Sequence, residues 1–157
     1  MSPTRLGWLC AALVLAADLV TKWWILAVVM NPPRIIEVAP FFNLVLVKNR
    51  GVSFGMLGSA PEWMPWILTA LAVTIAIALA VWLRRADSRL LGFALGAVIG
   101  GAIGNAIDRV RFGAVVDFLD FHAFGWHWPA FNVADSAVVV GVGLLVLDSL
   151  KSGARNP

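Results

Sequence analysis

Long apolar runs, interrupted at a few depths by charged residues, set the pattern of this chain. After Arg5 one run extends from Leu6 to Ala17, is broken by Asp18 and Lys22, and resumes from Trp23 to Met30. Read as one helix, residues 6–30 suffice for a tilted membrane span, whereas a cleavable signal peptide carries an apolar core of only roughly 7 to 15 residues. The run is therefore expected to remain as a first span, ended by Pro32-Pro33. A second span over 64–84 has an uncharged stretch from Trp66 to Leu83, with Trp63, Trp66 and Trp82 at its ends as interfacial aromatics. A third, over 90–110, carries Gly92, Gly96, Gly100 and Gly104 four residues apart, which makes one face a groove for a closely packed helix. A fourth is placed at 131–150. Its apolar stretch Ser136 to Leu147 covers roughly 18 Å of about 30 Å of hydrocarbon, so it must draw Asp135 to membrane depth, with Asn132 as cap.

Two connections carry more than loops. Phe42 to Lys48 is β-branched and too short to span, so it predicts a strand. Asn49-Arg50-Gly51 reads as a turn and Val52-Ser53-Phe54-Gly55 as a second extended piece, giving a small β-cradle over about 35–57. Such a cradle either caps the helices or binds an extended peptide along an edge, and the pattern leaves both open. From Arg111 to Pro129, Asp117, Asp120, His122 and His127 interleave with aromatics, as in a segment lying at the membrane interface. The expected architecture is an all-α polytopic membrane protein of one domain, residues 1–157: four transmembrane helices, a small periplasmic β-cradle and an interfacial segment between helices 3 and 4.

Composition agrees. The chain is 61% hydrophobic and 13% charged, with a mean hydropathy of +0.87, far from the soluble average of about 25% charged. Its net charge of +3 does not indicate nucleic acid, because the basic residues are scattered or flank apolar runs. Arg84, Arg85 and Arg89 lie in one tight loop, which the positive-inside rule puts in the cytoplasm, together with both termini, Lys151 and Arg155. Cys10 alone allows neither an intrachain disulfide nor a Cys-rich metal site, and is expected to be a buried small hydrophobe.

Depth brings out the candidate chemistry. Helical rise places Asp18, Lys22, Asn105, Asp108, Arg109 and Asp135 near the outer face, and Asp117 follows just beyond the third span. Asp18 and Lys22 are four apart and share a face; Asn105, Asp108 and Arg109 are spaced i, i+3, i+4 and converge likewise. Charges at that depth mark a functional site by default. Two carboxylates held close cannot both ionise easily, so one keeps a proton and polarises a carbonyl while the other activates water. Asp117 and Asp135 are the best-placed pair for such aspartic chemistry; Asp108 beside Arg109 reads as a supporting ion pair and Asp120 as a solvated side chain. Ion pairs that only fix helix packing are the competing reading of the same residues. His122 and His127, five apart, match no helical metal-ligand spacing, so no metal is expected. A small transporter or channel is the alternative from another functional class, since it too would line a path with intramembrane charge.

Five segments resemble the bacterial lipoprotein signal peptidases, also called type II signal peptidases. They are Asp18-Leu19-Val20-Thr21-Lys22, Asn49 to Gly55, Gly100 to Arg109, Val116-Asp117-Phe118 and Phe131-Asn132-Val133-Ala134-Asp135, in the family's order across nearly the whole chain. The resemblance implies an inner-membrane enzyme with cytoplasmic termini and an active site near the periplasmic face. It implies that Asp117 and Asp135 are the catalytic pair, working without metal, cofactor or covalent intermediate. The implied substrate is a prolipoprotein already carrying diacylglycerol on its lipobox cysteine, cut just before that cysteine. In this setting Asn105 and Arg109 are expected to hold the peptide backbone, and Asn49 and Gly51 to grip the chain. Asp18, Lys22, Asp108, Asn132 and Ala134 are expected to shape the site. A monomer surrounded by membrane lipid, with no nucleic-acid partner, completes the expectation.

Overall fold

The computed structural model of the 157-residue chain describes residues 1–51 and 61–153. Four of its helices are long and apolar enough to cross a membrane. Helix α1 (Pro3–Trp24) begins with proline in its first turn and Ser2 as N-cap, the hydroxyl oxygen accepting from the Arg5 N–H at 3.3 Å. It runs on through a π-helical turn, Ile25–Val29. Helix α2 spans Met64–Leu83, α3 Arg89–Phe112 and α4 Val133–Gly153. Ser88 caps α3 through the Leu91 N–H at 2.9 Å, and Gly113 closes it in the left-handed region at φ 66°.

Helix α3 is the central post. Two-thirds of its apolar window (67%) is buried, against 11 to 17% for the other three, whose outer faces are left to the membrane. The glycine ladder explains why. A methyl group on Gly92, Gly96 or Gly100 would run into the backbone of α1 at Pro3, Gly7 and Ala11, and one on Gly101 into the backbone of α4 at Ala134. The predicted groove therefore exists and holds α1, while the adjacent face holds α4. Leu91, Leu95 and Ile99 of α3 form the apolar core with Ala11 and Leu83.

The expectation of an all-α protein with a separate interfacial segment needs correction. Strand β1 (Ile36–Ala39) and β2 (Phe42–Asn49) lie in the predicted cradle, but the region after α3 supplies β3 (Val115–Ala123) and β4 (Trp126–His127). The four strands form one antiparallel order β1-β2-β3-β4. Strand β3 was hidden because Val115 to Phe118 are all buried, so no alternation marks it as half-exposed. The extended piece predicted at 52–55 lies outside the described residues. Phe124 and Gly125, at φ 53° and 78°, form the two-residue turn between β3 and β4, a turn type that requires positive φ at both positions. Phe118 packs on Ile25 and Met30, fastening the sheet to the end of α1.

Candidate active site

The second half of α1 and the last turns of α3 bring a buried cation between two carboxylates. Lys22 Nζ lies 2.8 Å from Asp18 Oδ2 and 2.8 Å from Asp108 Oδ2, and donates to Asn105 Oδ1 at 3.1 Å. The ammonium is thereby held among two carboxylate oxygens and one amide oxygen. Each carboxylate also grips a separate piece of chain. Asp18 Oδ1 accepts the Ala134 N–H at 3.0 Å, in the first turn of α4, and Asp108 Oδ2 accepts the Val116 N–H at 3.0 Å, in β3. The residue after Ala134 is Asp135, and the residue after Val116 is Asp117. One charged cluster thus positions both predicted carboxylates through the backbone.

Gly104 lets this happen. A methyl group there would come within 2.5 Å of Asp18 Oδ2. Gly104→Ala is therefore expected to lower stability by about 1 to 3 kcal/mol through overpacking, with reduced activity, read by thermal unfolding in detergent micelles and by a turnover assay.

Three side-chain amides hold the carboxylates. Asn132 Nδ2 donates to Asp117 Oδ1 at 2.7 Å, and its Oδ1 accepts the Asp135 N–H at 2.9 Å. Asp135 Oδ2 answers by accepting the Asn132 N–H at 3.3 Å, a reciprocal cap at the start of α4. Asn105 Nδ2 donates to Asp135 Oδ1 at 2.7 Å, with its own oxygen held by Lys22. Asn49 Nδ2, from the end of β2, donates to Asp117 Oδ2 at 3.0 Å. Every oxygen of both carboxylates therefore has an amide N–H aimed at it.

The surroundings of the two acids differ. Asp117 is 1% exposed. Asp135 is half-buried and lines a cavity of about 610 Å³ with Asn49, Trp128 and Phe131 on one side and Val139 and Val140 of α4 on the other. Burial pushes the Asp117 carboxyl up to about 6; the Asp135 charge adds to the rise, against the hydrogen bonds from Asn49 and Asn132 and the charge of Lys22. A raised carboxyl keeps its proton as pH climbs past the usual carboxylate range and loses it only around 6. Asp135→Asn removes one of the raising influences, so the Asp117 titration midpoint is expected to move down in that variant. Carboxyl ¹³C shifts of labelled aspartate would record it, and an unmoved or higher midpoint would contradict the coupling.

The remaining predicted residues take varied places. Arg109 Nη1 donates to the Asn105 carbonyl at 3.4 Å, while its buried Nε has no hydrogen-bond partner among the described residues. Gly51, at φ 104°, donates its N–H to Asn49 Oδ1 at 2.9 Å and so shapes the turn that presents Asn49. Ala134 is fully buried against Gly101 and Gly104, where a larger side chain has no room.

Asp120 departs from expectation. It is not a solvated side chain but 6% exposed, accepting from Asn43 Nδ2 at 3.0 Å and facing His127 Nδ1 at 2.9 and 3.0 Å. Burial alone would raise its carboxyl, but the hydrogen bonds from His127 and Asn43 outweigh it and hold Asp120 below the ordinary carboxylate range. The available signal was Asn43, a polar residue among the β-branched ones of β2, paired in register with Asp120. His122 and His127 stack at 4.9 Å between ring centroids.

Known proteins resemble this chain in sequence and fold. A solved bacterial membrane enzyme superposes with a TM-score of 0.80 at 34% identity, covering 96% of this chain and 91% of that one. A second bacterial membrane enzyme structure gives 0.78 at 34% identity, with 92% of each chain covered. The lipoprotein signal peptidase of Methylobacterium radiotolerans is 48% identical over 99% of this chain and 91% of its own length. That of Methylorubrum extorquens is 46% identical over 100% and 92%. The family model described as signal peptidase (SPase) II matches residues 10–151, so a multi-pass membrane bundle with this site at one end belongs to the signal peptidase II family.

Proposed function

We propose that the chain is an aspartic endopeptidase that cuts diacylglyceryl-modified prolipoproteins just before the lipidated cysteine, with Asp117 and Asp135 as its catalytic residues. The observation that carries the mechanism is the asymmetry of the pair: one carboxyl buried with its proton held to about 6, the other open to the 610 Å³ cavity. Asp135, in the first turn of α4, takes a proton from water as it attacks the scissile carbonyl. Asp117 gives its proton to the carbonyl oxygen, forming a neutral gem-diol. Collapse returns that proton to Asp117, while Asp135 passes the proton it took to the leaving amine of the cysteine. The protons balance, and water ends divided between the two products.

Arg109, whose buried Nε–H has no partner among the described residues, can offer that donor to a backbone carbonyl of the substrate. Asn49 serves both Asp117 and the cavity wall, so the cradle acts as the clamp on the extended peptide. The exposed Val139 and Val140 give the cavity an apolar side toward α4, suited to the diacylglyceryl chains. In this reading the site lies at the periplasmic end of an inner-membrane monomer with cytoplasmic termini, embedded in lipid.

The test is cleavage of a diacylglyceryl-modified prolipoprotein by the detergent-solubilised protein in the presence of a chelator, with the cut mapped by mass spectrometry. A cut immediately before the modified cysteine, unaffected by chelator and lost on replacing either aspartate, is the expected result. Loss of cutting on chelation would overturn the metal-free mechanism, and a cut elsewhere would overturn the assigned substrate.

A further inference from the structure

A second buried carboxylate, apart from the catalytic pair and from the Lys22 cluster, lies where three strands meet. Asp120 of β3 is bound to Asn43 of β2 on one side and to His127 of β4 on the other. Because Asp120 is held ionised, it only accepts, so the His127 Nδ1 must carry the hydrogen. Beyond His127 the chain is pinned at two points, Trp128 N–H to the Phe121 carbonyl at 2.8 Å and Phe131 N–H to the Leu119 carbonyl at 3.0 Å. Between these, Trp128, Pro129 and Ala130 form a partition. One side lines the cavity that holds Asp135; the other lines a cavity of about 700 Å³ with Arg34 and Val47. Pro129 has no N–H to anchor, and the short strand β4 has only two paired residues, so the side-chain bond from His127 to Asp120 adds a constraint, beside these backbone bonds, on how the partition enters.

We infer that Asp120 and His127 are positioning residues for substrate binding: their bond fixes the Trp128–Ala130 partition that walls the catalytic cavity. This rests on the proposed peptidase reading. Neither residue touches the catalytic carboxylates in the hydrogen-bond network, so the effect belongs in KM and not in the chemical step. His127 is 55% exposed at its side chain, so its replacement opens no cavity, and Asn43 still donates to Asp120.

The experiment compares wild type, His127→Gln and His127→Asn in cleavage of the lipidated prolipoprotein, with thermal unfolding in the same detergent. The Asn amide nitrogen occupies the place of Nδ1 and keeps the donor, whereas the Gln amide reaches the place of Nε2 and does not. Expected for His127→Gln is a KM about tenfold higher, equivalent to roughly 1.4 kcal/mol, with kcat and unfolding midpoint close to wild type. His127→Asn should restore KM to within about threefold, a residue of less than one hydrogen bond. Equal KM in wild type and His127→Gln, or failure of Asn to rescue, would overturn the inference. So would a fall in kcat or in unfolding midpoint that accounts for the change. Wild-type cleavage is the control: its absence sinks the peptidase reading itself, whereas cleavage with indifferent His127 variants sinks only the positioning role.

Discussion

Asp117→Asn is expected to lower kcat for prolipoprotein cleavage by about 10⁴-fold or more while the protein stays folded. An amide can neither give a proton to a carbonyl oxygen nor take it back, so both halves of the reaction lose the same group. The structural cost is smaller and can be located. Asn132 and Asn49 each aim an amide N–H at a different oxygen of Asp117. The new side chain has one oxygen and one NH₂, so one of those donors must face another donor, at about 1 to 3 kcal/mol. Asn49, at the half-buried end of β2, is the partner able to turn away. Kinetics and stability are thus separable by measuring unfolding and gel filtration in detergent beside turnover. If Asp117 acts only in the transition state, kcat and kcat/KM fall together and KM stays put. Retention of more than a tenth of wild-type kcat would remove Asp117 from the chemistry and leave it as a buried structural acid.

Much of this site was legible because membrane depth is a strong ruler. A charge within an apolar run has a height fixed by 1.5 Å per residue, and Asp18, Lys22, Asn105, Asp108 and Asp135 were placed at one level from that count alone. The structure brings all five into a single bonded network. The glycine ladder was readable for a similar reason, since spacing by four fixes a face. What spacing cannot supply is contact between distant strands. The pairing of Asn49 with Asp117 depends on β2 meeting β3 with Asn49 opposite Val115 and Val47 opposite Asp117, a register broken by an irregularity between Leu44 and Val47. Nothing local encodes that offset. Asp120 escapes for the same reason: an aspartate between Leu119 and Phe121 looks solvated until Asn43 and His127 are seen to cover it. The backbone roles of Val116 and Ala134 were equally invisible, because any residue has an N–H and only its position makes it a handle.

Lys22→Met should be the most destabilising single change in the site, by about 3 to 5 kcal/mol, because it leaves buried charge without its partner. Asp18 is fully buried and Asp108 is 1% exposed, and both reach the same ammonium at 2.8 Å. Without it, two carboxylates share one dry space and at least one must take up a proton. Activity should vanish as well, since Asp18 and Asp108 hold the backbone next to Asp135 and Asp117 and Lys22 itself holds the amide of Asn105. Charge and positioning can be told apart with a triple variant, Lys22→Met with Asp18→Asn and Asp108→Asn. Each new amide keeps an oxygen to accept from Ala134 or Val116, so most of the lost stability should return. Cleavage should return far less, because the Asn105 oxygen then keeps only the 3.3 Å bond from Asn132, and its NH₂ is held less firmly against Asp135. Unfolding midpoints in detergent and turnover of the lipidated substrate measure the two separately. A Lys22→Met protein as stable as wild type would refute the clamp, and a triple variant no more stable than Lys22→Met would mean that the lysine acts through its packing and not its charge.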